Sequence, residues 1–345
     1  MVILGLLFHA LGGFAAGSFY LPLKQTRGWA WESGWIVGGL FSWIIVPALV
    51  AVLTVPDLVE VWRSAPAGAM AWTCFWGVLW GVGGLTFGLS VRYLGLSLGY
   101  AVALGSCAAF GTLIPAIYEG SWPTLWSTTA GRVMLGGILV CLVGIALCGQ
   151  AGRWKERALK GGGDQPDIDL TRGLLVALFA GIMSACMAFA FTAAKPVAEA
   201  AREAGTDSLW VNNAVLPVVF LGGFLTNAVW CGYLLMRQGT WRDFSAVTVP
   251  LARNYGWAAL AGTVWYLQFM FYGMGTTKLG AYDFTSWTFH MSFIIVTSNL
   301  WSLLLREWRG ADPRAVRLLV AGNIVIVAST GLIGWGNYLT THAGN

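Results

Sequence analysis

Apolar runs recur along the chain at roughly 3–23, 33–54, 70–91, 97–118, 131–150, 171–194, 209–235, 254–275, 284–305 and 314–338, with short polar breaks between them. About 20 such residues carry an α-helix across the hydrocarbon core of a bilayer. The pattern therefore predicts an all-α integral membrane protein with ten transmembrane helices. The breaks carry turn and charge signals, as in KQTRGWAWES, PDLVEVWRSAPAG and LREWRGADPRA. The first run lacks a basic start and a convincing cleavage site and exceeds a signal-peptide core, so it is expected to remain as the first span.

The longest break, 151–170, is basic and is expected to be a cytoplasmic linker. It divides the chain into a first group of five spans, 1–150, and a second, 171–345. Five is odd, so two equivalent groups insert with opposite orientations, as inverted repeats. A trace of duplication survives: WGVGGLTFGLSVRYLG from Trp80 and WYLQFMFYGMGTTKLG from Trp265 keep Trp, Gly88/Gly273 and the closing Leu-Gly in step without gaps. Inverted five-helix repeats belong to secondary transporters, with the solute site near mid-membrane. Fifteen of the 20 Lys and Arg residues fall on one set of alternating loops, and only Arg63, Arg132, Lys195, Arg202 and Lys278 on the other. The positive-inside rule then places the basic connector in the cytoplasm and both termini outside.

Composition narrows the class. Only 10% of residues are charged against 57% hydrophobic, too few charges to cover a water-soluble surface. The net charge of +5 is spread as a topology signal, so no nucleic-acid partner is expected. The six cysteines all lie in apolar runs, without CxxC or Cys/His spacing, and are expected to be small core residues with no metal site. No phosphate-binding loop, HExxH or nucleophile elbow is present. Transport driven by an ion or solute gradient, with no cofactor beyond a coupling proton, is the expected activity; an enzyme and a sugar-sensing receptor lack a catalytic cluster and an output domain.

The densest polar constellation is YDFTSWTFHM from Tyr282. On one helix Asp283, Ser286, Trp287 and His290 fall at i, i+3, i+4 and i+7, a single face. Such a face is expensive in lipid and is expected to point into the protein. Histidine titrates near neutrality and relays protons, and aspartate does so where burial favours its neutral form. Asp283 and His290 are therefore the proton-coupling candidates, against a reading in which Asp283 caps the ninth span and His290 is a core residue. Trp265, Tyr266 and Gln268 offer aromatic faces and an amide that both donates and accepts, as a sugar needs. With Ser286, Trp287, His290, Trp80 and His9 they form the candidate substrate-binding set, and core packing competes as an explanation for each. Two opposite-charge pairs, Lys195 with Asp283 and Glu32 with Arg92, are candidate gates; unpaired interfacial charges reaching for water are the alternative. Asn212, Asn213 and Asn227 are hydrogen-bonding candidates.

GSFYLPLKQTRGWAWESGWIVGGLFSWIIVP from Gly17, GLSVRYLGLSLG from Gly88, AAKP at 193–196, WYLQFMFY from Trp265 and YDFTSWTFHMSF from Tyr282 carry a resemblance across nearly the whole chain. The sequence resembles the bacterial L-rhamnose–proton symporters, a branch of the drug/metabolite transporter superfamily. The resemblance implies a ten-helix carrier of the bacterial inner membrane that imports a 6-deoxyhexose with protons, acting as a monomer or weak dimer among membrane lipids. It carries over Glu32, Arg92, Lys195, Gln268, Asp283, Trp287 and His290 as functional candidates. Where that family has asparagine and tyrosine in the third span, this chain has Gly84 and Phe87, so L-fucose or another monosaccharide stays open as the substrate, as does metabolite export or exchange.

Overall fold

The computed structural model describes residues 2–159 and 170–342, so the middle of the expected connector, 160–169, lies outside the described residues. Fourteen α-helices follow one another: α1 (Val2–Ser18), α2 (Tyr20–Leu23), α3 (Trp31–Gly39), α4 (Val46–Thr54), α5 (Leu58–Ser64), α6 (Ala67–Tyr118), α7 (Trp122–Ser127), α8 (Thr129–Leu159), α9 (Leu170–Ala193), α10 (Lys195–Glu203), α11 (Leu216–Gln238), α12 (Leu251–Thr276), α13 (Ser286–Leu304) and α14 (Pro313–His342). A π-helical segment, Leu40–Ile45, joins α3 to α4, and 3-10 segments precede α11 and α13. There is no strand among the described residues. All backbone pairing is thus local to each segment, the condition for crossing lipid.

Among the described residues eight helical stretches are long and apolar enough to cross a membrane: Val2–Leu23, Trp31–Thr54, Ala67–Ser90, Ala101–Tyr118, Thr129–Lys155, Thr171–Glu203, Val211–Gln238 and Pro313–Leu339. The chain is a multi-pass membrane protein. The two remaining expected spans, 254–275 and 284–305, are helical as α12 and α13 but fall short in apolarity. They carry Arg253, Asn254, Trp265, Tyr266 and Gln268 in one and Ser286, Thr288, His290, Ser292 and Asn299 in the other. The break expected between 91 and 97 is not a break in helical backbone, because α6 continues through it for 52 residues. No proline interrupts the backbone there. Likewise α8 runs on to Leu159 into the expected linker.

Two compact units emerge. One comprises Met1–Gly13, Gly83–Ala188 and Gly275–Asn345, the other Phe14–Val82 and Phe189–Met274. Each draws on both sequence halves, and the boundaries fall inside α1, α6, α9 and α12.

Within the first unit, α8 and α14 pack along glycine. A Cβ on Gly137 or Gly144 would overlap Ile333 or Ile326, and one on Gly322 would overlap Cys148. Gly137 and Gly144 lie seven residues apart, as do Ile326 and Ile333, so both contacts share one helix face. Small residues let membrane helices approach in this way. Leu125, Met134, Leu279, Phe289 and Ile333 complete a core there. Four cysteines, Cys107, Cys141, Cys186 and Cys231, are buried and all six are free.

In the second unit, Gly77 of α6 lies against Val219 of α11, and Gly262 of α12 against the carbonyl of Gly38. Leu58 and Val61 of α5 pack with Val197 and Ala201 of α10. A methyl group on Gly262 would overlap the Gly38 carbonyl and the Phe41 side chain, whereas one on Gly256, on the same helix, meets nothing within 4 Å. Gly262→Ala is therefore expected to cost about 1–3 kcal/mol and Gly256→Ala to be neutral or stabilising by up to about 1 kcal/mol. Thermal unfolding of the two variants in detergent checks this; equal shifts would contradict the packing.

Candidate functional site

In the first unit the N-terminal half of α13 is enclosed on every side. Ser286, Trp287, Thr288, Phe289, His290, Met291 and Ser292 are all buried. Seven consecutive buried residues cover the whole circumference of a helix, so α13 offers no face to lipid over this stretch. Local contacts pin it. Trp287 Nε1 donates to the Cys107 carbonyl at 2.9 Å, and the indole fills a notch at Gly111, where a Cβ would collide with the ring. The Thr112 and Thr288 hydroxyls are 2.7 Å apart, and Asn337 Nδ2 donates to Thr285 Oγ1 at 3.1 Å. Ser292 donates to the Thr288 carbonyl at 2.7 Å and lies 3.2 Å from Cys141 Sγ.

Held this way, His290 meets His9 of α1. The two imidazoles are 0% exposed, with ring centroids 6.5 Å apart. His9 also stacks on Phe289 at 6.0 Å, and Gly275 makes room for it, since a Cβ there would approach the His9 ring to 2.7 Å. Ser286 Oγ is buried with no hydrogen-bond partner. Two proton-accepting rings and a spare hydroxyl are thus collected in a closed interior.

Asp283 lies just before α13, not within it. It sits, partly exposed, in the 3-10 segment Gly280–Thr285, and α13 begins only at Ser286. Asp283 does not cap α13 either, whose N-cap is Thr285.

The second unit holds an aromatic cluster. Trp265 and Trp80, the counterparts in the two related sequence stretches, stand 5.6 Å apart between ring centroids, and Trp43 meets both edge-on at 5.5 and 6.3 Å. Phe220 and Phe269 complete the wall. Tyr266 is fully buried and its hydroxyl makes no hydrogen bond; the Trp43 Nε1 donor, on a residue 4% exposed, is also unpartnered. Trp35, Ser42, Trp43 and Trp265, with Phe19 and Leu23, line a narrow cleft. Gln268 is buried on α12.

Trp43 and Ser42 lie on the π-helical segment. Pro47, four residues beyond Trp43, has no N–H for the Trp43 carbonyl and its ring crowds that carbonyl. Such π segments concentrate at functional sites. Trp35, Ser42 and Trp43 were not distinguishable as site residues in the sequence; the signal was Pro47 inside an apolar run.

Of the gate candidates, Glu32 is buried in the second unit and accepts a hydrogen bond from the Thr240 hydroxyl at 2.6 Å. The Arg92 side chain lies outside the described residues. Lys195 opens α10 in the second unit, whereas Asp283 belongs to the first. Asn212 donates to the Gly273 carbonyl, Asn213 to Thr54 Oγ1, and Asn227 accepts from Trp35 Nε1, so all three brace the second unit.

The match to known proteins covers this whole arrangement. Residues 1–338 match the model of the L-rhamnose-proton symport protein family (RhaT). The chain belongs to that family. It is 39% identical over 339 residues to a protein of Cronobacter sakazakii named L-rhamnose-proton symporter, covering 97% of this chain and 98% of that one. A Yersinia pestis protein of the same name is 38% identical over 342 residues, again covering 97% and 98%. Every residue described above, from His9 to Asn337, falls within the matched region of this family member.

One polar element outside the sequence candidates organises the second unit. Ala30 precedes α3 and offers no capping side chain, so Asp243 supplies the cap from 213 residues away. It accepts from the Ala30 N–H at 2.8 Å and the Ser33 hydroxyl at 2.7 Å. Loss of a helix cap costs about 0.5–2 kcal/mol. Asp243→Ala is expected to lower thermal stability by that amount in detergent. An unchanged melting temperature would show that this carboxylate does not hold α3.

Proposed function

We propose that this protein is a proton-coupled secondary transporter that imports L-rhamnose by alternating access across a bacterial inner membrane. The observation that carries the reading is the family match along residues 1–338, with 39% identity to a relative named for this activity. The fold we infer is ten transmembrane helices in two inverted five-helix repeats of the drug/metabolite transporter kind, with both termini periplasmic. The unit boundaries support it. They fall in α1 and α6, the first and third spans of the first half, and in α9 and α12, the first and third spans of the second.

On this reading the aromatic cleft of the second unit receives the sugar. The C–H faces of a pyranose pack on the indoles of Trp43, Trp80 and Trp265, and its hydroxyls meet the Trp43 N–H, the Tyr266 hydroxyl and the Gln268 amide. A buried donor left unsatisfied costs about 1–3 kcal/mol, which a hydroxyl-rich ligand removes. The proton goes to the His9–His290 pair of the first unit. Two charged imidazoles about 6.5 Å apart would repel by roughly 2–3 kcal/mol even at an effective dielectric of about 20. The pair therefore holds one proton at a time. Protonation changes the charge of a closed interior and so biases the conformational equilibrium, the condition for coupling. Ser286 offers a hydroxyl beside the pair. Helices α1 and α12 contribute residues to both units, and thus to both tasks.

Labelled L-rhamnose uptake into proteoliposomes tests this. An inward proton gradient is expected to drive accumulation, with excess unlabelled L-fucose competing weakly. His290→Gln is expected to keep rhamnose exchange between the two sides while losing gradient-driven accumulation. Equal loss of both would move His290 from coupling to folding or sugar binding. Trp265→Ala is expected to raise KM about tenfold and to leave proton dependence unchanged; an unaltered KM would remove the sugar from the aromatic cleft.

A further inference from the structure

Helix α8 carries a second opening, away from both clusters. Leu142, Ala146, Gly149, Gln150 and Arg153 line it, together with Ala101 and Val102 at the start of the span Ala101–Tyr118. The five α8 residues are spaced i, i+4, i+7, i+8 and i+11, one continuous helix face. The groove, lined in part by the small residues Ala101, Ala146 and Gly149, has a volume of about 300 Å³. Toward its apolar end Gly105 leaves room beside α8, since even a Cβ there would come no nearer than 3.9 Å to Ile145 and 4.0 Å to Leu142. Its other end is polar, with the Gln150 amide and the Arg153 guanidinium.

The surroundings say what fits there. Leu139 and Val143, beside the groove on α8, are 64% and 49% exposed, as expected for side chains in lipid. At 31 residues, α8 is about 47 Å long, well beyond a hydrocarbon core of about 30 Å, so its last turns enter the headgroup layer. Trp154 lies there exposed, and Lys155 Nζ is held 4.8 Å over the Trp308 ring, an interfacial arrangement of aromatics and cations. Among the described residues no acidic side chain forms an ion pair with Arg153. From Leu142 to Arg153 the groove runs about 16 Å along the helix, which suits an acyl chain ending in a headgroup.

We propose that this groove is a binding site for one anionic phospholipid, its phosphate on Arg153 and Gln150 and an acyl chain along Val102, Leu142 and Ala146. A free phosphate would use the cation and leave the apolar length empty, so the two sources are separable. The site is independent of the sugar and proton assignments.

Native mass spectrometry of the purified full-length protein, with phosphatidylglycerol or phosphatidylcholine of matched acyl chains, tests it. Wild type is expected to retain phosphatidylglycerol about fivefold better than phosphatidylcholine. Arg153→Gln is expected to abolish that preference, and Ala146→Phe, which fills the apolar length, to lower phosphatidylglycerol retention several-fold. Both variants are compared at melting temperatures matched to wild type, and if Arg153→Gln does not fold, Ala146→Phe alone decides. Equal retention of the two lipids by wild type, a preference that survives Arg153→Gln, or full retention by Ala146→Phe would each overturn the proposal. Displacement of phosphatidylglycerol by millimolar inorganic phosphate from wild type and Ala146→Phe alike would overturn it in favour of a free-anion site.

Discussion

Inside a bilayer no bulk water is at hand to satisfy a polar atom, so each such atom finds a partner within the protein or stays available to a passing ligand. The N-terminal half of α13 follows this constraint residue by residue. The Trp287 N–H goes to a carbonyl, Thr288 to Thr112, and Ser292 to a carbonyl and Cys141. These bonds fix the rotation of the helix and bring His290 against His9. Buried groups left over include the Ser286 hydroxyl in one unit, and the Tyr266 hydroxyl, Trp43 N–H and Thr206 hydroxyl in the other.

Glycine gives this chemistry its rigid frame. Gly111 admits the Trp287 indole and Gly275 the His9 ring, while Gly223 accommodates Trp80. In each case a backbone without Cβ lets a large aromatic ring lie flat against a neighbouring helix. The cost is a weaker intrinsic helix preference at those positions, offset by close van der Waals packing. The π-helical turn before Pro47 does related work, turning Trp43 and Ser42 toward the cleft they line.

Much of this was legible in the chain. Apolar run lengths located the helices, and the polar run that starts at Tyr282 leads into the enclosed stretch Ser286–Ser292. The gapless likeness of the stretches beginning at Trp80 and Trp265 singled out two tryptophans whose rings lie 5.6 Å apart, though not that they meet. Other features were hidden for physical reasons. Asp283 reads in the sequence as part of the ninth helix, whereas it lies in a 3-10 turn that precedes α13. His9 and His290 lie 281 positions apart, and no local periodicity reports a contact of that range. Asp243 caps a helix it is remote from in sequence, so a search for a capping residue next to Ala30 finds nothing. Trp43 is one tryptophan among 20, and only the combination of a π turn, a proline and an unpartnered indole separates it from packing.

The relation between the family's named activity and this molecule rests on where the proton is held. If one proton occupies the histidine pair in each cycle, sugar and proton move in fixed ratio. The most direct measurement is the alkalinisation of a weakly buffered medium as L-rhamnose is added to energy-depleted vesicles, scaled to the sugar taken up in parallel. The account predicts one proton per sugar, falling toward zero when both histidines are replaced by glutamine. Two protons per sugar, or an unchanged ratio in the doubly substituted protein, would contradict it.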